Sequence, residues 1–96
     1  LLEQRRGMFL RRVIPAMFYT YILRSVNHPE QRYVGSTIDL KRRFAEHNSH
    51  NGAYSSAKYA PWRIETYVAF DTLEKARAFE LYLKSGSGHE FARRHF

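Results

Sequence analysis

Phe18-Tyr19-Thr20-Tyr21-Ile22-Leu23-Arg24, then Asn27-His28-Pro29-Glu30, then Arg32-Tyr33-Val34-Gly35 is the stretch that decides the fold. Aromatic and β-branched residues fill both flanks and turn formers fill the middle, so the chain is expected to double back as a β-hairpin. Tyr19, Tyr21 and Leu23 share one face of the first strand. Gly35, with no Cβ, lets another backbone or a substrate come close to the second.

Beyond the hairpin the periodicity changes. Thr37 or Asp39 can cap a helix that carries Leu40 and Phe44 at i,i+4 and ends in the polar cluster Asn48 to Gly52. Ala53 to Tyr59 is short and weakly periodic. Arg63 to Phe70 alternates Ile64, Thr66, Val68 and Phe70 against a more polar face, as a half-buried strand does. Asp71 with Glu74 opens a further helix that stops at Lys84-Ser85-Gly86, and Ser87 with Glu90 opens a last short one. The order β-β-α-(α)-β-α-α, with no βαβ repeat, predicts an α+β domain with a mostly antiparallel sheet.

A chain of 96 residues supports one modest core, hence one domain. With no cysteine, disulfide and thiolate-zinc readings are closed, and the five histidines lack the pairing of an all-histidine metal site. Absence of cysteine fits a reducing compartment, so the cytoplasm is the expected location. Sixteen Lys+Arg against nine Asp+Glu give a net charge of +7 and a pI near 10.1, which puts nucleic acid first among partners. No apolar run approaches the roughly 20 residues of a membrane span, so no membrane partner is expected. Leu1 to Ala16 carries four arginines and one glutamate and reads as a flexible N-terminal extension, leaving 17–96 as the domain.

Helical projection singles out two polar residues. On the first helix Leu40, Phe44 and His47 occupy one sector with Arg43 beside it, while Lys41, Arg42 and Glu46 point away. In the later helix Glu80 falls inside the stripe Leu73, Ala76, Phe79, Leu83. Moving an ionised carboxylate into low dielectric costs several kcal/mol without compensation, so Glu80 needs Arg43, a metal ion, or both. A buried Arg43–Glu80 pair without chemistry, Arg43 lying along the apolar stripe, and core tyrosines at 21 and 33 are the structural alternatives.

Tyr19-Thr20-Tyr21, Tyr33-Val34-Gly35, Arg43, His47-Asn48, and Glu80 within Ala78-Phe79-Glu80-Leu81-Tyr82-Leu83-Lys84 together resemble the GIY-YIG nuclease family. The similarity runs from Met17 to the C-terminus. It looks closest to the small single-domain bacterial members, which share the ending Tyr-Leu-Lys-Ser-Gly-Ser-Gly, and is more distant to the GIY-YIG nuclease domain of the excinuclease. Tyr19-Thr20 departs from the Gly-Ile of the name motif. The resemblance implies a small three-stranded antiparallel sheet flanked by helices and metal-dependent endonucleolytic cleavage of DNA, suited to repair or recombination.

It also implies the site. Mg²⁺ or Mn²⁺ would sit on Glu80, and Arg43 would hold the scissile phosphate. Either Tyr21 or Tyr33 would activate water with help from His47, and Gly35, Asn48 and Lys84 would line the substrate. A free tyrosine titrates near 10, so a tyrosine base needs positive charge beside it or a proton relay. DNA is the expected partner, with RNA open and room for a protein that supplies targeting; the oligomeric state has no signal. The competing function is an inactive DNA- or RNA-binding module of the same fold.

Overall fold

The computed structural model describes residues 17–49 and 55–96. The expected extension, Leu1 to Ala16, and residues 50–54 lie outside them. In order come β1 (Phe18–Ser25), β2 (Arg32–Thr37), α1 (Leu40–His47), a 3-10 turn (Ser55–Tyr59), β3 (Trp62–Phe70), α2 (Leu73–Lys84) and α3 (Gly86–His95). This is the expected order. The sheet is antiparallel with strand order β2-β1-β3, so the first strand is the central one.

A central strand buried on both faces has to be apolar almost throughout, and Tyr21, Ile22 and Leu23 are all at most 1% exposed. Ile22 and Val34 pack under α2 and α3 with Leu83 and Ala92, flanked by Phe79 and Phe91. On the opposite face Tyr21, Leu23 and Trp62 pack with Leu40 and Phe44 of α1 and with Tyr33 and Ile64. The sheet is therefore a wall between two small cores. Thr20 ties it to α2 by donating from Oγ1 to the Ala76 carbonyl at 2.6 Å.

Three local expectations are corrected. β3 does not alternate evenly: Ile22 pairs with Thr66 but Leu23 with Ile64, so Glu65 is an extra residue in the ladder. This β-bulge sends Trp62 and Ile64 to the α1 face along with Tyr67, while Thr66, Val68 and Phe70 turn toward α2; Phe70 lies 5.6 Å from Phe79, ring to ring. Arg24 of β1 holds the bulge through Glu65 with two bonds of 3.2 Å.

The other two corrections concern caps. α2 is capped by Thr72, whose hydroxyl accepts from the Lys75 amide at 3.2 Å, and α3 by Ser85, which accepts from Gly88 at 3.1 Å. Asp71 forms an ion pair with Lys75. The Thr72 and Ser85 side chains sit at extended residues directly before the first helical turn, where the orphan N–H groups point back. At α1 the expected Asp39 cap is found, accepting from Arg42 at 3.1 Å.

Candidate active site

Tyr21 rises from the middle of β1 toward α1, directly across from Gly35 on β2. A Cβ on Gly35 would stand 2.6 Å from Tyr21 Oη and 2.8 Å from Cζ. The close approach expected at Gly35 is thus made by the Tyr21 phenol, which passes over the glycine toward the free edge of the sheet. There its Oη lies 2.9 Å from Nε2 of His47. His47, in the last turn of α1, is fully buried, not at the boundary of the packed face, and its Nδ1 is 2.6 Å from Ser56 Oγ in the 3-10 turn. Trp62 fixes that turn by donating from Nε1 to the Ser56 carbonyl at 2.8 Å.

Tyr21, His47 and Ser56 form a buried chain of hydrogen bonds. Burial pushes the Tyr21 phenol up, and the neighbouring Tyr33 and Glu80 add to this against the opposing pull of Arg43. Burial likewise pushes His47 down, with Arg43 reinforcing it, so the imidazole is held neutral. Positive charge near Tyr21 therefore does not win over burial, which favours the relay alternative. Tyr33 stacks beside Tyr21 and sets its ring 4.4 Å from that of His47, centroid to centroid.

Arg43 stands on α1 where the projection put it, half-buried, with Nε 3.2 Å from Glu46 Oε1. Glu46 is likewise half-buried, although the projection turned it outward; Arg42 is exposed. A groove of about 300 Å³ opens beside Arg43, lined also by Thr37, Ile38, Asp39, Arg42 and Glu46.

Glu80 approaches from α2, on the other side of β2. Its expected partner was Arg43 or a metal; the protein partners are Ser36, which donates to Oε1 at 2.5 Å, and Lys84, which donates to Oε2 at 2.7 Å. Arg43 lies across the strand and turns to Glu46 one helical turn on, so the compensation comes from the strand and helix that Glu80 itself contacts. Burial presses the Glu80 carboxyl upward, but the Lys84 and Ser36 hydrogen bonds outweigh it and hold the pKa below its ordinary value.

Among the described residues no three His, Asp or Glu side chains converge on a point. Glu80 is nonetheless one ionised, partly exposed carboxylate with its side chain 23% accessible. That fits a hard divalent cation that retains most of its water and takes a single protein carboxylate, and it does not fit a cation needing a full protein cage. Asn48 is placed elsewhere: its amide donates to the Trp62 carbonyl at 3.2 Å and accepts from the Trp62 amide at 2.6 Å, bolting the end of α1 to β3.

Tyr21, Tyr33, His47, Arg43, Gly35, Glu80 and Lys84 are thus arrayed around the edge strand β2, with Asn48 set back behind them. Ser36 and Ser56 were missed. Both are small hydroxyl residues in a strand and a weakly patterned segment, and nothing in their local sequence marks their partners.

The profile of the GIY-YIG catalytic domain matches residues 17–92. Similar proteins include the structure-specific endonuclease subunit SLX1 of Mycosarcoma maydis, 37% identical over 73% of this chain and 11% of that protein. SLX1 of Candida dubliniensis is 35% identical over 86% of this chain and 30% of its own length, and slx1 of Neurospora crassa 36% over 75% and 19%. The chain thus spans less than a third of these fungal relatives.

Proposed function

The chain belongs to the GIY-YIG family, and from that membership we propose that its domain is a metal-dependent endonuclease hydrolysing DNA phosphodiester bonds, acting on branched or otherwise structured DNA in repair or recombination. The observation that supports this most is the Tyr21–His47–Ser56 chain ending at the same strand edge that Glu80 and Arg43 flank.

Hydrolysis needs an activated water, charge stabilisation at phosphorus and help for the departing oxygen. We assign water activation to Tyr21 rather than Tyr33, because Tyr21 holds the hydrogen bond to His47 whereas Tyr33 meets that ring by packing. Oη takes the proton of water as its own passes to Nε2, so no free phenolate forms; the imidazole, neutral at rest and a weak base in its buried setting, carries that proton only transiently. This relay uses the tautomer in which Nδ1–H donates to Ser56 and the Nε2 lone pair faces Tyr21.

Arg43 holds the scissile phosphate from its groove, and Gly35 keeps the strand thin where the phosphate must reach Oη. Mg²⁺ or Mn²⁺ bound at Glu80 would supply positive charge to the leaving 3′ oxygen. Ser36 holds that carboxylate through Oε1, and Lys84 covers Oε2 until a cation takes its place. Asn48 acts at one remove, holding the helix end that carries His47.

The relatives are named as subunits, and a protein partner that directs the domain to its substrate belongs to the same proposal. Among the described residues no helix is long and apolar enough to cross a membrane. We keep the cytoplasm as its compartment on the cysteine-free composition. Labelled single-stranded, duplex and branched DNA with Mg²⁺, Mn²⁺ or EDTA tests the reading, wild type against Glu80→Gln. Cutting that needs metal and disappears with Glu80→Gln is expected; binding without cutting on every substrate identifies the inactive module.

A further inference from the structure

The bulge at Glu65 has a second effect. It places Tyr67 directly across from Tyr21, on the α1 face, on the side away from Gly35. Tyr21 is buried there, but Tyr67 is 54% exposed. Tyr19, two residues before Tyr21 on the same face, meets Tyr67 edge to face with ring centroids 5.9 Å apart at 70°. The two rings brace each other, so little side-chain freedom remains to be lost when a flat ligand lands on them.

They border a groove of about 440 Å³ whose apolar wall is Ile38, Leu40, Phe44 and Ile64, with Lys41 and Asp39 at the rim. It meets the Arg43 groove at Ile38 and Asp39, which line both. Among the described residues Asp39 is the acidic side chain that lines both grooves, its Oδ1 accepting the cap hydrogen bond from the Arg42 amide, while Glu46 in the Arg43 groove pairs with Arg42 and Arg43. Lys41 and Arg42 are exposed beside Asp39.

We propose that Tyr19 and Tyr67 form a stacking platform for an unpaired nucleobase of the DNA strand whose phosphate occupies the Arg43 groove. The ligand class follows from the chemistry. Tyr67, exposed, with Tyr19 half-buried against it and Lys41 at the rim of their groove, in a chain of net charge +7, matches a flat base on an anionic backbone. Inside a duplex, stacking covers both faces of each base, so an unpaired base is the one with a ring face to give. Tyr67 and Gly35 are two strand spacings apart, roughly 10 Å, so a base on the platform and a phosphate at Gly35 would belong to nearby nucleotides of one strand. DNA with a single-stranded segment close to the cut would be held in preference to continuous duplex.

The proposal relies on the nuclease reading for the path of the strand, and its test uses binding alone. Anisotropy of a labelled oligothymidylate and of a blunt duplex of equal length is measured in EDTA, where no metal-dependent cutting intervenes. Tyr67→Ala is expected to weaken oligothymidylate binding by about 5- to 100-fold, Tyr67→Phe to restore it, and duplex affinity to stay within about twofold, the range of a lost rim contact. Tyr67→Trp, which keeps a ring in place if the alanine variant fails to fold, should show indole quenching as oligothymidylate binds.

Unchanged oligothymidylate affinity in Tyr67→Ala, equal loss on both probes, or an unquenched indole overturns the platform. So does self-association that Tyr67→Ala abolishes with DNA binding intact, which would make the face an interface between copies. A protein that cuts DNA yet shows no Tyr67 effect sinks this proposal alone; one that binds as expected but never cuts sinks only the nuclease reading.

Discussion

The phenol of Tyr21 and the imidazole of His47 are joined at 2.9 Å, in residues only 1% and 0% exposed. On the proposed mechanism this pair is both structure and chemistry. Tyr21→Phe leaves Nε2 without its partner and should cost about 1–3 kcal/mol of stability. It should also lower the cleavage rate by about 10²- to 10⁴-fold, as loss of general base catalysis does. Urea unfolding and single-turnover cleavage report the two effects separately; full activity in a folded Tyr21→Phe protein would move the base elsewhere.

Ser56 tests whether the imidazole needs orienting. Its Oγ lies 2.6 Å from Nδ1, and it is 5% exposed. Ser56→Ala should lower kcat while leaving KM for DNA near its original value, because Ser56 touches no substrate. Ser56→Thr keeps the hydroxyl and should recover most of the rate. A threonine variant as slow as the alanine one would point to packing instead.

The neutral His47 also sets a pH window. Its pKa lies below the ordinary value because of burial and then Arg43, so the unfolded chain binds a proton that the folded one refuses. The sign follows: this contribution to stability is whole above about pH 6.5, the unfolded histidine value, and is lost as pH falls through it toward the lower folded value. Urea midpoints of the wild type should drop between pH 7.5 and 5.5. His47→Gln, less stable at pH 7.5, should show a flatter profile over that interval.

The strand and helix order was legible because turn formers and caps interrupt strong period-2 and period-3.6 patterns. The bulge was not, since an alternation count has no place for an unpaired Glu65, and the Arg24 contact that accommodates it comes from 41 residues away. Glu80 and Tyr21 stood out, one as a carboxylate in an apolar stripe and the other through its motif. The partner of Glu80 did not: Ser36 is 44 residues distant and gains meaning only once α2 lies on β2. Caps were misplaced by one residue at Thr72 and by two at Ser85.

The two glycines at the α2–α3 joint should behave differently. A Cβ on Gly88 would lie 1.8 Å from the Tyr82 carbonyl oxygen and 2.7 Å from Leu83 Cα, both backbone, so the helices would have to part. Gly88→Ala should cost about 3 kcal/mol or more, at the upper end for overpacking. Gly86 has nothing within 4 Å of its Cβ position, and Gly86→Ala should be neutral or gain up to about 1 kcal/mol from helix propensity. Thermal melts of the two variants decide it; equal melting temperatures would deny the close helix contact.

Lys84 and the divalent cation should compete for one oxygen. Nζ reaches Glu80 Oε2 at 2.7 Å, one helical turn away, while half of the lysine side chain remains exposed. An ion pair this open contributes at most about 1 kcal/mol, so Lys84→Met should melt close to wild type. Removing the ammonium uncovers Oε2, and the Mg²⁺ concentration for half-maximal cleavage should fall severalfold. Glu80→Gln removes the proposed anionic ligand itself and should abolish cleavage at any attainable Mg²⁺. If Lys84→Met instead needs more Mg²⁺, or loses DNA affinity at saturating Mg²⁺, then Lys84 serves the substrate phosphate directly, and its contact with Glu80 marks where that phosphate arrives.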